Sequence, residues 1–229
     1  MKAYVVWTAP IVILIVLLIL CFIYWRFYLF FRDPNRKIPK GNNIVSPADG
    51  RIVYVEKVRK NIIPISIKKG RQIRLHDIAK TKLFSGDKYI VGVFMNPFNV
   101  HVNRSPIDGK IERITHYYSK DLPMTKMWIR SIFNLIPLYK GSNHVVKNER
   151  NTILINGKFH VAIVQIADVY VKKILCFVNK GQVVSKGQRI GMIRMGSQVD
   201  IIFPAKKSIR INVRPGDKVK AGSSIIATY

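Results

Sequence analysis

Val178-Asn-Lys-Gly-Gln-Val-Val-Ser-Lys-Gly-Gln-Arg-Ile190 and Val213-Arg-Pro-Gly-Asp-Lys-Val-Lys-Ala-Gly-Ser-Ser-Ile225 share one pattern, V-x-x-G-x-x-V-x-x-G-x-x-I. Glycines at these fixed offsets suit tight turns between short strands. A second echo lies earlier in the chain, where Ser46-Pro-Ala-Asp-Gly-Arg-Ile52 returns as Ser105-Pro-Ile-Asp-Gly-Lys-Ile111. Two motifs, each present twice, predict an internally duplicated domain.

Between the echoes the pattern is β. Ile52–Val55, Tyr89–Phe94, Thr152–Ile155, His160–Val164 and Ile201–Phe203 are short apolar or β-branched runs bounded by Gly, Pro, Asn or Lys. The glycine-turn unit is similar to that of biotinyl and lipoyl carrier domains. The expected fold is therefore mainly β: a barrel-sandwich-like antiparallel domain with few helices. Carriers present a modifiable lysine at a hairpin tip, and that resemblance leaves a membrane-tethered carrier module as one functional class. Here the corresponding position after Ile190 holds Gly196-Ser197. A Gly-Ser step between strands is in itself an ordinary turn.

The 229 residues suffice for one domain plus an anchor, and the net charge is +27, from 39 basic and 12 acidic residues. Such a balance suits nucleic acid, an anionic membrane or an acidic substrate. The N-terminus favours the membrane. Ala3 to Trp25 carries no charged residue, and as a helix it reaches about 34 Å at about 1.5 Å per residue, enough for the hydrocarbon core. Trp7 at one end and Trp25, Tyr28 and Phe30 at the other suit the two interfaces. The run is too long for a signal peptide, and no small-residue cleavage site follows it. Lys2 stands alone before it, whereas Arg26, Arg32, Arg36, Lys37 and Lys40 follow. The positive-inside rule then puts the globular part in the cytoplasm, at the cell membrane. The anchor is expected over residues 1–31, either spanning or hairpinned, with a linker over 32–43 and the domain over 44–229. No basic-aromatic motif for bases is present, so nucleic acid is not expected as a partner. Leu122 to Leu138 reads equally as a core helix or loop and as an interfacial segment, because Met127, Trp128 and Phe133 alternate with Lys126 and Arg130. Cys21 and Cys176 read as small buried hydrophobes, and no spacing suggests a metal site.

Phe31-Arg-Asp-Pro34, Ser46-Pro-Ala-Asp-Gly50, Asn96-Pro-Phe-Asn-Val-His-Val-Asn-Arg-Ser-Pro106, Asn148-Glu-Arg-Asn151 and Gly191-Met-Ile-Arg-Met-Gly-Ser197 occur together and in this order. The set resembles the phosphatidylserine decarboxylase family in its short form, from about Phe30 to Tyr229. The resemblance implies that Gly196-Ser197 breaks itself and that Ser197 becomes a covalent pyruvoyl cofactor. The fragments, 1–196 and 197–229, would stay together as a heterodimer, with any higher oligomer left open. A free hydroxyl is a weak nucleophile and needs a base. The resemblance points to His101, whose imidazole titrates near neutrality, oriented by Asp49 as in serine triads. Arg104, three residues after His101, becomes the candidate holder of the substrate's carboxylate or phosphate; otherwise His101 serves both cleavage and decarboxylation. The implied reaction turns phosphatidylserine into phosphatidylethanolamine through a Schiff base on the pyruvoyl carbonyl, with no metal. An ether-lipid serine headgroup is the alternative substrate. Asp108 reads as a turn residue, and His76, His116, His144 and His160 as structural or surface groups.

Overall fold

The computed structural model describes residues 2–64, 73–119, 122–133, 135–137, 143–169, 174–194 and 197–229. Helix α1 (Lys2–Tyr24) continues into a π-helical turn at Trp25–Leu29, and this is the one described helix long and apolar enough to cross a membrane. Strands β1 (Asn43–Val45), β2 (Gly50–Val58), β3 (Ile62–Ile63) and β4 (Ile73–Arg74) lead to α2 (Leu75–Ala79) and β5 (Lys88–Met95). After β6 (Val102–Arg104) and β7 (Gly109–Tyr117) come α3 (Thr125–Ile132) and α4 (His144–Lys147). Then follow β8 (Arg150–Asn156), β9 (His160–Ala167), β10 (Ile174–Cys176), β11 (Val183–Val184) and β12 (Arg189–Ile193). The chain ends with β13 (Ser197–Pro204), β14 (Arg210–Ile211), β15 (Lys218–Val219) and β16 (Ile225–Thr228). The fold is mainly β, a curled antiparallel half-barrel, as the strand periodicity predicts.

The eight-stranded sheet runs β11-β7-β8-β9-β13-β5-β2-β15, flanked by sheets β10-β12-β6 and β14-β16-β1. Read from either end, the order is the same under the exchange of β11 with β15, β7 with β2, β8 with β5 and β9 with β13. The predicted duplication is thus a pseudo-twofold relation. It extends to single bonds. Ser46 Oγ donates to the Ala48 carbonyl and Ser105 Oγ to that of Ile107, each at 2.7 Å. Asp49 accepts from the Ala221 N–H at 2.7 Å, and Asp108 from that of Lys186 at 2.8 Å. Both β2 and β7 bulge one residue past the same isoleucine, Ile52 or Ile111.

The second half is inserted into the first. Its strands β6 to β12 are continuous in sequence, whereas β5 and its partner β13 are separated by all of them. In the second half, β8 turns directly into β9 through Gly157, Lys158 and Phe159. In the first, the chain leaves β5 at Met95 and returns at Ser197, its register partner. Residue 197 therefore stands where the insertion closes, at the head of a strand bonded to β5 on one side and β9 on the other.

Alternation in the central strands fills two layers. Val91, Val93, Ile153, Ile163, Val199 and Ile201 enter the half-barrel core. Ile90, Leu154, Val164, Ile166 and Ile202 pack on the other face against α2, Met127 of α3 and Val145 of α4. Cys21 and Cys176 depart from expectation: both are exposed. Cys21 lies on the uncovered α1, and β10 ends at Cys176, before the apolar run does.

Because β13 to β16 contribute to two sheets, a cut between β12 and β13 should not free them. The pieces should co-elute on size exclusion in plain buffer and separate only in denaturant. A 33-residue piece, 197–229, lost by simple dilution would contradict this topology.

Candidate active site

Ser197 is fully buried, and its Oγ donates to the Met95 thioether sulfur at 3.4 Å. Sulfur is a weak acceptor, so this hydroxyl is only lightly held. Gly196, the other member of the expected cleavage site, lies outside the described residues. Ile193, just upstream, donates its N–H to the His101 carbonyl at 3.3 Å, which brings the end of β12 against the segment carrying the candidate base.

His101 is fully buried, its ring stacked on that of Phe30 with centroids 4.3 Å apart and planes at 29°. Neither ring nitrogen meets hydrogen-bond geometry among the described residues. Burial pushes its pKa down to about 3. The Asn99 backbone lies near enough to offset part of that, and the Arg32 charge adds to the lowering. Trp25 packs on both Phe30 and Phe98, each at 6.1 Å. The end of the N-terminal helix is thus a lid over the histidine.

The chain beyond the lid covers the remaining candidates in order. Arg32 donates to the Phe98 carbonyl. Asp33 binds Arg104 at 2.6 Å and also Arg189. Arg36 spans both carboxylate oxygens of Asp49, at 2.8 and 2.9 Å. The expected Asp49–His101 hydrogen bond is therefore not made in this state: the carboxylate is taken by Arg36 and the Ala221 N–H, while the imidazole faces Phe30. Nor is Arg104 a free cation, since it also donates to the Gly187 carbonyl at 2.9 Å. The strap over residues 30–36 contains the Phe31-Arg-Asp-Pro34 motif, whose contacts no local pattern foretells.

Sequence reasoning also passed over a row of buried amides. Asn151 Nδ2 donates to Gln165 Oε1 at 2.9 Å, and Gln165 Nε2 to Asn103 Oδ1 at 2.8 Å. Asn103 Nδ2 then approaches the sulfur that Ser197 touches, at 3.7 Å. Gly191 makes room for this row, because a Cβ there would lie 2.7 Å from Gln165 Nε2. The signal was present in Asn96–Pro106 and Asn148–Asn151, which pointed to a site without assigning these amides.

Behind β13, on the opposite face, Tyr54 donates to Asp200 at 2.7 Å, and Gln198 donates to both. Burial pushes the Asp200 carboxyl up to about 6. His144 is buried beside Gln198 and pushed down to about 4 by that burial. It belongs to the core, and with Arg150, whose guanidinium caps the Asp77, Ile78, Val145 and Asn148 carbonyls, it fixes the loops around α2 and α4. His116 and His160 pair with Glu149 and Glu112.

A family model for phosphatidylserine decarboxylase matches residues 23–227. The chain is 38% identical over 200 residues to a putative archaetidylserine decarboxylase proenzyme of Methanocaldococcus jannaschii, covering 86% of this chain and 87% of that one. It is 36% identical over 211 residues to a phosphatidylserine decarboxylase proenzyme of Aromatoleum aromaticum, covering 89% and 80%. A proenzyme of the same name from Cupriavidus metallidurans is 37% identical over 204 residues, covering 86% and 76%. With a buried serine at the head of the central strand, this is a decarboxylase of phospholipid metabolism. More narrowly, the chain belongs to the phosphatidylserine decarboxylase family.

The buried histidines set a pH dependence. Unfolded, they take up protons below their ordinary value of 6.5; folded, His101 and His144 stay neutral down to about 3 and about 4. Their contribution to stability is lost as pH falls below about 6.5. Asp200 runs the other way, losing its contribution as pH rises from 3.8 to about 6. Two groups against one make the melting temperature of uncut Ser197→Ala protein fall between pH 6.5 and 4.5. Adding His101→Phe should make that fall shallower. Equal slopes in the two proteins would contradict the burial argument.

Proposed function

We propose that the chain breaks its own Gly196–Ser197 bond, turns Ser197 into a pyruvoyl group and then decarboxylates a serine phospholipid, phosphatidylserine to phosphatidylethanolamine. The observation that carries this reading is the Ser197 hydroxyl, buried at the closing point of the insertion and held, among the described residues, by a thioether. The relatives' description as proenzymes supports the processing step.

In the cleavage, His101 takes the hydroxyl proton and Oγ attacks the Gly196 carbonyl carbon. The C–N bond breaks, the nitrogen takes a proton, and an ester replaces the amide. Loss of the Ser197 Cα proton then expels the Gly196 carboxylate, leaving dehydroalanine at 197. Water adds and ammonia leaves, which yields the pyruvoyl group. That group supplies a ketone that condenses with the substrate's serine amine and takes up the electrons released as CO₂ departs.

The strap bears on when this happens. Under Phe30 the imidazole is a poor base, because burial opposes its charged form. Lifting residues 30–36 would restore its basicity and release Asp49 from Arg36 to orient it. The same movement frees Arg104 from Asp33 for an anionic headgroup. The serine headgroup is common to diacyl and ether lipids, and the archaetidylserine name of the Methanocaldococcus relative favours ether lipid as a second reading.

The lipid's chains stay in the bilayer, so the site must meet the headgroup plane. Helix α1 would hold it at the cytoplasmic face, with the basic residues Arg26 to Lys40 among anionic headgroups. Helix α3 keeps Met127 in the core while Trp128, Ile129, Ile132 and Phe133 are 36%, 46%, 56% and 69% exposed, beside Lys126 and Arg130. Such a face suits the interface.

Carbon dioxide release from serine-labelled lipid in vesicles tests the reading. Ser197→Ala should release none. His101→Ala and Asp49→Ala should process the chain about 100-fold more slowly or worse, in the range expected for a lost general base. Arg104→Ala should be cut normally and lose turnover. Trp128→Ser with Phe133→Ser should be cut normally but turn over vesicle lipid more slowly, most clearly at high salt. Full turnover by Ser197→Ala would end the proposal.

A further inference from the structure

We propose that the Asn103 carboxamide donates a hydrogen bond to the ketone oxygen of residue 197 in the mature protein, with Gln165 and Asn151 holding it aimed there. This rests on the pyruvoyl reading above and assigns the group that polarises that ketone.

The row of amides has a direction. Each amide has one accepting and one donating end, and the contacts fix which is which. Asn151 donates to Gln165, Gln165 donates to Asn103, and Asn103 has its accepting oxygen occupied. Its N–H₂ group must therefore face Met95, whose sulfur also receives the Ser197 hydroxyl. All three donors point towards residue 197.

The two ends of the row are less well matched. Among the described residues the buried Asn151 Oδ1 atom has no partner, and the Asn103 N–H₂ group meets a sulfur at 3.7 Å. Buried amides in a purely structural network are satisfied, because each unmet group costs about 1–3 kcal/mol. This row is left unsatisfied at one end and poorly satisfied at the end that reaches the serine. A carbonyl oxygen made from Ser197 is a far better acceptor than the thioether.

The pseudo-twofold points the same way. Matching the two halves through their ladders pairs Asn103 with Ile44, Gln165 with Phe203 and Asn151 with Tyr89. Ile44 and Phe203 are fully buried core residues, and Phe203 packs on Tyr89 with ring centroids 5.8 Å apart. The fold thus fills these positions with apolar and aromatic side chains in one half. The amides of the other half answer to something else, and that half's ladder leads to residue 197.

The test uses the full-length protein grown with serine carrying ¹³C at Cα. Only conversion to a ketone makes that carbon a carbonyl, so the carbon spectrum shows residue 197 alone in that region. The native ketone resonance should lie downfield, as hydrogen bonding requires, and in Asn103→Leu it should move upfield towards that of a free pyruvamide in aprotic solvent. Asn103→Leu should be cut, and its kcat should fall about 100-fold with KM changed less than about threefold, in line with loss of one donor to a developing charge. Gln165→Leu should move both readouts the same way by less. A native ketone at the aprotic position overturns the assignment even if Asn103→Leu fails to fold or to be cut. So does an Asn103→Leu protein with native kcat. A single uncut chain with no ketone signal would instead overturn the pyruvoyl reading itself, and this assignment with it.

Discussion

The structure depends on strand Ser197–Pro204 being bonded along both edges, to β5 on one side and β9 on the other. It sits at the pseudo-twofold centre of the eight-stranded sheet, and with its neighbour β9 it joins the two halves. A strand held from both sides keeps its first residue fixed even if the peptide before that residue is broken. The inserted half makes this position singular. The chain has to leave the first half after Met95 and come back at Ser197, its register partner. Position, burial and a weak sulfur partner follow from this single topological fact.

Duplication gave the fold two equivalent ends, and the candidate site residues gather at one. The Pro-x-Asp-Gly turns and glycine-turn units recur bond for bond, which shows what the architecture requires. Departures from that symmetry then become informative. His101, Asn103 and Arg104 correspond to Asn42, Ile44 and Val45 in the other half, and Gln165 and Asn151 have aromatic counterparts, Phe203 and Tyr89. The Asp49–Ala221 contact, by contrast, is matched by Asp108–Lys186 and belongs to the architecture. What sets Asp49 apart is Arg36, and Arg36 comes from the strap that follows the anchor.

Much of this was legible in the sequence because the signals are local. Glycine offsets and β-branched runs marked the turns, the strands and the duplication, and an uncharged apolar run marked the N-terminal helix. The site was legible only as motifs. A motif names residues without saying which one each of them touches, and the long-range contacts decided that: Phe30 on His101, Arg36 on Asp49 and Asp33 on Arg104 are separated by 13 to 71 positions. Met95 was not singled out, because nothing local marks a thioether as a serine's partner. Cys176 reads as core from its apolar neighbours, but its strand ends at the surface.

The account stands or falls on the bond before Ser197. The intact mass of freshly purified full-length protein, measured under denaturing conditions, addresses it directly. Two species are predicted, residues 1–196 ending in an ordinary carboxylate and residues 197–229 beginning with a pyruvoyl group in place of serine, and therefore blocked to Edman degradation. A single species at the mass of the full 229-residue chain, with decarboxylase activity, would contradict it.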